Sequence, residues 1–114
     1  MKKIEAIIAS EKVGVVVDAL KNVGAGGLTV LDAKGWGKGK RSQLAGSRGT
    51  SSYTAEFNRR NYILTVVDDT ISDKVISVIA DVAGTGSAGD GKIFVTTVND
   101  AIDIGSKQKG IHAI

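Results

Sequence analysis

The chain has no cysteine, no proline and one histidine, and only one tryptophan, two tyrosines and two phenylalanines among its 114 residues. Without cysteine there is neither a disulfide nor a thiolate metal site. With His112 as the sole histidine, a histidine cluster for a metal is excluded within one chain. No apolar run approaches the ~20 residues that span a bilayer. The opening Met1-Lys2-Lys3-Ile4-Glu5 has no long apolar core behind it, so no signal peptide is expected. These absences set the expectation of a cytoplasmic protein without membrane insertion. The scarce aromatics also weigh against nucleic acid. Trp36, Tyr53, Phe57, Tyr62 and Phe94 form no stacking cluster on one strand, as sheet-based RNA readers require, and a net charge of +3 is mild. The length suits a single domain, 1–114, with a core of its own.

What the sequence does hold is glycine, 15 residues of it. They gather at 24–27, 35–49 and 84–91, which marks three loops. In the last, Gly84-Thr85-Gly86-Ser87-Ala88-Gly89-Asp90-Gly91-Lys92 runs directly into the β-branched and aromatic stretch Ile93-Phe94-Val95. Glycines let backbone amides turn toward one point and let a ligand approach closely. Lys92 adds a cation at the edge, and a nucleotide phosphate is the natural guest. The stretch lacks the Gly-Lys-Ser/Thr of a Walker loop, and by itself it is equally a tight turn.

Along the chain, Ile4, Ala6 and Ile8 alternate with Lys3, Glu5 and Ile7, a strand. Ser10 is a candidate N-cap for a helix carrying Val13, Val16, Val17 and Leu20 on one face, with Gly24 just past its end. Gly27 to Ala33 is a second strand. From Lys34 to Ala55 there is no acidic residue but five cations, Lys34, Lys38, Lys40, Arg41 and Arg48. A loop this long is typically functional or disordered. Tyr53 to Val67 is a longer strand whose apolar end, 63–67, suggests burial on both faces. Ser72 is a candidate cap for a second helix that buries Val75, Ile76, Ile79, Val82 and Ala83. Ile93 to Val98 is the last strand, and Asn99 to Ile104 a short helical turn or strand entry. The order strand-helix-strand-strand-helix-strand is the α+β, ferredoxin-like split βαβ arrangement. Two helices cover one face of such a sheet, so covering the other calls for self-association.

Several of these stretches resemble the P-II signal-transduction family. They are Met1 to Ile8, Gly27-Leu28-Thr29-Val30, Lys34-Gly35-Trp36-Gly37, Arg48-Gly49, Tyr53, Glu56-Phe57, and above all Thr85-Gly86 with Gly89-Asp90-Gly91-Lys92-Ile93-Phe94-Val95. The resemblance covers essentially the whole chain in order. It implies a non-catalytic cytoplasmic homotrimer acting in nitrogen or carbon metabolism. Such a trimer binds adenine nucleotide (ADP, AMP or ATP) between subunits. It regulates an unidentified transporter or enzyme through a mobile T-loop between the second and third strands, here about 37–54. The B-loop falls at about 84–92 and the C-terminal loop at about 103–114. The nucleotide contacts implied are Ile7, Thr29, Gly35, Gly37, Lys38, Val66, Thr85, Gly89, Asp90, Gly91 and Lys92. Partner contacts fall on Lys40, Arg41, Arg48, Ser51 and Tyr53. No catalytic residue and no protein metal site is implied.

The chain departs from the family pattern in ways that bear on ligands. Gly39 stands where the family usually carries the glutamine that helps hold Mg²⁺ and 2-oxoglutarate, which counts against both. Asp103 and Gly105 stand where two arginines normally reach the outer phosphates, so ADP or AMP is expected to bind at least as tightly as ATP. Arg60 falls where the family often has lysine. A P-II-like sensor of another small signal, such as bicarbonate, is the alternative; a nucleic-acid-binding ferredoxin-like domain is a remote one.

Overall fold

A computed structural model describes residues 1–39, 43–45, 52–54 and 56–114. β1 (Lys2–Ala9), β2 (Thr29–Gly35), β5 (Asn58–Val67) and β6 (Gly91–Thr97) form one four-stranded sheet in the order β2-β5-β1-β6. Every neighbouring pair is antiparallel. α1 (Val13–Asn22) and α2 (Asp69–Ala83) pack on one face, and β3 (Gln43–Ala45) pairs with β4 (Ser52–Thr54) in a separate ladder. This is the α+β, ferredoxin-like βαββαβ fold expected, with the β3–β4 ladder set between the second and third strands of the main sheet.

Alternation in the strands decides which face the helices cover. Ile4, Ala6, Ile8, Ile63 and Val67 point into a core completed by Val16, Leu20, Val75, Ile79 and Ala83. The valines of α1 lower its intrinsic helix propensity, so this burial is what holds the helix. Buried Thr65 donates its hydroxyl to the Gly27 carbonyl at 2.6 Å, which ties the chain entering β2 to the central sheet. On the other face Glu5, Ile7, Tyr62, Leu64 and Val66 are half-buried and Leu31 and Phe94 exposed. There Tyr62 donates its hydroxyl to the Glu5 carboxylate, which also pairs with Lys3 Nζ at 3.1 Å. Leu64 and Val66 are thus only half-buried where Ile63, Thr65 and Val67 are buried, so the 63–67 run is fully buried on one side only within a chain.

Local details differ from the sequence-based expectation for physical reasons. The 3₁₀ turn Ser10–Lys12 precedes α1, so Ser10 lies inside that turn and caps nothing. The far end follows expectation: Ala25 N–H donates to the Leu20 carbonyl and Gly24 N–H to that of Lys21, a Schellman closure. α2 is capped by Asp68, whose carboxylate accepts from Thr70 N–H at 3.0 Å. Ser72 sits one turn inside and donates its hydroxyl back to the Asp69 carbonyl. β5 begins at Asn58, because β2 and β1 supply partners only as far as Gly35 and Ala9; Tyr53 belongs to β4, opposite Leu44. β2 is displaced two residues toward Gly35, and β6 starts early, at Gly91, which pairs with Ile8. The 99–104 segment forms no helix: Ile102 bridges Lys109 across a turn closed by Asp103, whose carboxylate accepts from Ser106 N–H and hydroxyl, both at 2.8 Å.

Candidate functional site

The site grows from the glycine-rich turn between α2 and β6. Asp90 turns its carboxylate back into the turn. It accepts from Thr85 N–H at 2.6 Å, Gly86 N–H at 2.9 Å, Ser87 N–H at 3.1 Å and the Thr85 hydroxyl at 2.6 Å. The first half of the turn is thus an anion nest already filled from within, which leaves the second half, 88–92, to face outward. The Thr85 hydroxyl, then the amides of Thr85, Ser87 and Gly86, hold the Asp90 carboxyl below its ordinary 3.8. A depressed folded-state value contributes stability that is complete above the unfolded value and disappears as pH falls through the folded one. Hydrogen-exchange protection of the Thr85–Ser87 amides should therefore persist down to about pH 4 and be lost below it; loss already at pH 5 would contradict this role for Asp90.

Gly91 fixes the turn to the sheet. Its φ is 121°, and a Cβ there would lie 1.9 Å from the Ile7 carbonyl oxygen, so only glycine fits. That contact sets Lys92 opposite Ile7 on the open face, with Phe94 next along the same face, opposite Glu5.

Facing this turn is the stretch leaving β2. Gly35 lies against Arg60, where an added Cβ would meet Arg60 Cγ at 2.9 Å. The two segments enclose a cavity of about 520 Å³ lined by Ile7, Gly35, Trp36, Gly37, Lys38, Gly39, Asn58, Arg60, Ala88, Gly89, Gly91, Lys92 and Phe94. A larger cavity, about 1110 Å³, adjoins it across Lys38, Gly39, Arg60 and Gly89, and adds Lys12, Arg59, Thr85 and Asp90. The first has apolar walls from Ile7, Trp36 and Phe94 and cations from Lys38, Arg60 and Lys92. The second is ringed by cations, with Glu11 the acidic side chain not committed to the turn. Among the described contacts no hydrogen bond or ion pair engages the side chain of Lys12, Lys38, Arg59, Arg60 or Lys92.

Nine of the eleven residues singled out for nucleotide line one or both cavities: Ile7, Gly35, Gly37, Lys38, Thr85, Gly89, Asp90, Gly91 and Lys92. Thr29 and Val66 line neither. Val66 pairs with Lys3, four residues along β1 from Ile7, about 13 Å at the usual strand rise. Tyr53 is placed in β4; Lys40, Arg41, Arg48 and Ser51 lie outside the described residues. Asp103, expected near the outer phosphates, lines neither cavity, and its carboxylate accepts from Ser106. Trp36, Asn58 and Phe94 line the smaller cavity without having been singled out for nucleotide. The period-two pattern Lys92, Phe94 carried a signal for Phe94.

The residues fit an adenine nucleotide: a cradle a Cβ would fill, three cations and an apolar wall. They do not fit Mg²⁺ by themselves. Gly39 brings no side-chain oxygen, the Asp90 oxygens are taken within the turn, and a hard cation needs oxygen ligands. Among the described residues no group of three or more His, Asp or Glu side chains is placed to hold a metal ion, and no helix is long and apolar enough to cross a membrane.

Comparison with known proteins points the same way. A family model described as "Nitrogen regulatory protein P-II" matches residues 1–108. The chain is similar to the nitrogen regulatory protein P-II of Azospirillum brasilense, 43% identical over 115 residues with both chains covered completely. It is similar to that of Nostoc punctiforme, 42% identical over 114 residues, again with both covered completely. It is also similar to the nitrogen regulatory protein GlnK2 of Haloferax mediterranei, 38% identical over 116 residues covering 100% of this chain and 91% of the relative. With a full-length match of this kind on a ferredoxin-like fold whose glycine-rich turn meets the base of a long inter-strand loop, the chain belongs to the nitrogen regulatory protein P-II family.

Proposed function

We propose that this protein is a non-catalytic P-II regulator. As a homotrimer it binds an adenine nucleotide between subunits and reports the bound nucleotide to a partner, a transporter or enzyme, through the 37–54 loop. The observation that carries this reading is the cavity of about 520 Å³ where the loop base, 35–39, meets the turn 88–92. That volume lies within the range of small-ligand pockets. Ile7, Trp36 and Phe94 offer the base an apolar wall. The outward half of the turn, with Gly89, Gly91 and Lys92, receives the inner phosphates, and Lys38 and Arg60 add charge. Thr29 and Val66, remote from the cavity on the open sheet face, act on the nucleotide of the adjacent subunit. The uncovered apolar face supports the trimer. Lys40, Arg41, Arg48, Ser51 and Tyr53 provide the partner surface.

The nucleotide preference follows from the outer-phosphate end. A γ-phosphate adds charge that must be paired in a partly desolvated cleft. Gly105 has no side chain to offer, and the Asp103 carboxylate is committed to Ser106. One missing charge-assisted hydrogen bond is worth about 1.5–3 kcal/mol, roughly tenfold or more in affinity. Titration calorimetry should therefore show ADP binding at least as tightly as ATP, and 2-oxoglutarate binding weakly or not at all with Mg-ATP present. ATP binding tenfold tighter than ADP would contradict the preference. Absence of heat with every adenine nucleotide would overturn the function.

A second reading, a sensor of another small anion such as bicarbonate, is favoured by the cationic cavity of about 1110 Å³ lined by Lys12, Lys38, Arg59 and Arg60. Bicarbonate included in the same titrations tests it: enhanced nucleotide affinity supports this reading, unchanged affinity opposes it.

A further inference from the structure

The two cavities share one wall, in which two glycines meet backbone to backbone. A Cβ built on Gly39 would lie 2.7 Å from Gly89 Cα and 3.2 Å from Gly89 N. Contact that short with backbone cannot be relieved by a rotamer change, so one of the two segments must move. The turn is the fixed partner. Four hydrogen bonds to Asp90 brace its first half, and Gly91 anchors its end against the Ile7 carbonyl. The loop base is the partner that yields. At its other end Gly35 lies against the Arg60 side chain, which can shift where backbone cannot.

We propose that Gly39 sets the position of the loop base, by seating it directly on the backbone of the nucleotide turn. Position 39 is then a steric key. The arrangement of the loop base answers to the nucleotide at Gly89 through backbone contact, with no metal ion and no side chain at 39 as intermediary. The inference rests on the proposed nucleotide site for its functional consequence, but the seat itself is a property of the ligand-free chain. It follows that a side chain of any chemistry at 39 disturbs the site, even one that brings an oxygen.

Trp36, the only tryptophan, lies three residues before Gly39 in the same cavity wall and reports the loop base without added labels. The experiment compares wild type, Gly39→Ala and Gly39→Gln by Trp36 emission without nucleotide, by ADP calorimetry with EDTA and with Mg²⁺, and by thermal unfolding. The expected result is an emission shift in both nucleotide-free variants and at least a tenfold loss of ADP affinity that Mg²⁺ does not restore. The melting temperature should be unchanged, since the contact lies outside the core. Wild-type ADP affinity and emission in Gly39→Ala would overturn the inference, as would tighter Mg-ATP binding by Gly39→Gln. If the wild type itself binds no ADP, the nucleotide reading falls. The emission of nucleotide-free Gly39→Ala then still decides the seat: a shift supports it and no shift overturns it.

Discussion

Gly91→Ala is expected to abolish the proposed adenine-nucleotide binding and to melt well below the wild type. At φ 121° a side chain is strained regardless of space, and here there is none: the added carbon would sit 1.9 Å from the Ile7 carbonyl oxygen and 3.3 Å from Ile8 Cα. β1 is a central strand paired on both sides, so it cannot retreat without loosening β5 as well. The relief available is to peel the start of β6 away, which withdraws Lys92 from its place opposite Ile7 and releases the outward half of the turn. Strain of this kind costs about 1–3 kcal/mol, and the lost pairing adds to it. A total on the order of 3 kcal/mol lowers the melting temperature by roughly 10 °C in a domain of this size. Calorimetry should find no ADP heat, and differential scanning should find the drop. A variant that melts and binds ADP like the wild type would mean the turn is not anchored at Ile7.

Leu64→Glu is expected to separate the proposed trimer into single chains and to remove most ADP affinity. Leu64 lies on the open face, opposite Glu5 on one side and Thr29 on the other, and is half-buried within its own chain. A carboxylate there meets Glu5 directly across the strands, and like charges in that position are destabilising. Buried at a subunit interface without a partner, it costs several kcal/mol per copy, and the symmetric assembly repeats that cost in every subunit. The helix-covered core, built from the opposite face, is untouched, so the separated chain keeps its secondary structure. Under the proposed role of Thr29 and Val66 toward the neighbour's nucleotide, ADP affinity should fall at least tenfold. Sedimentation velocity checks the first effect and calorimetry the second; a trimer retained with wild-type ADP affinity contradicts both.

Much of the fold was legible because it depends on periodicity. Ile4, Ala6 and Ile8 announced β1, and Val75 and Ile79 the buried side of α2, through spacings that are local to each segment. What was not legible depends on partners distant in sequence. β5 begins at Asn58 because its neighbours end at Gly35 and Ala9, a fact about register that the Tyr53–Val67 stretch does not carry. The cap of α2 passed from Ser72 to Asp68 because both residue types cap well and only the entry of the chain decides between them. At the site, the glycines and Lys92 were visible as a pattern. That Asp90 fills the nest they form, rather than facing outward, depends on how the turn closes. Trp36 and Asn58 join the site only through the folding of β2 against β5, with no local spacing to mark them. Gly39 was read as a missing ligand; the fold adds the closer reason for it, the backbone of Gly89.

In the proposed trimer, adenine nucleotide occupies a cleft completed by a second subunit. Native mass spectrometry with ADP tests it most directly, since mass counts chains and ligands in the same species. The expected spectrum holds a trimer carrying up to three ADP, with ADP leaving as the trimer dissociates and with no nucleotide on the single chain. A monomer that holds ADP as well as the assembly does, or a trimer that takes none, would contradict it.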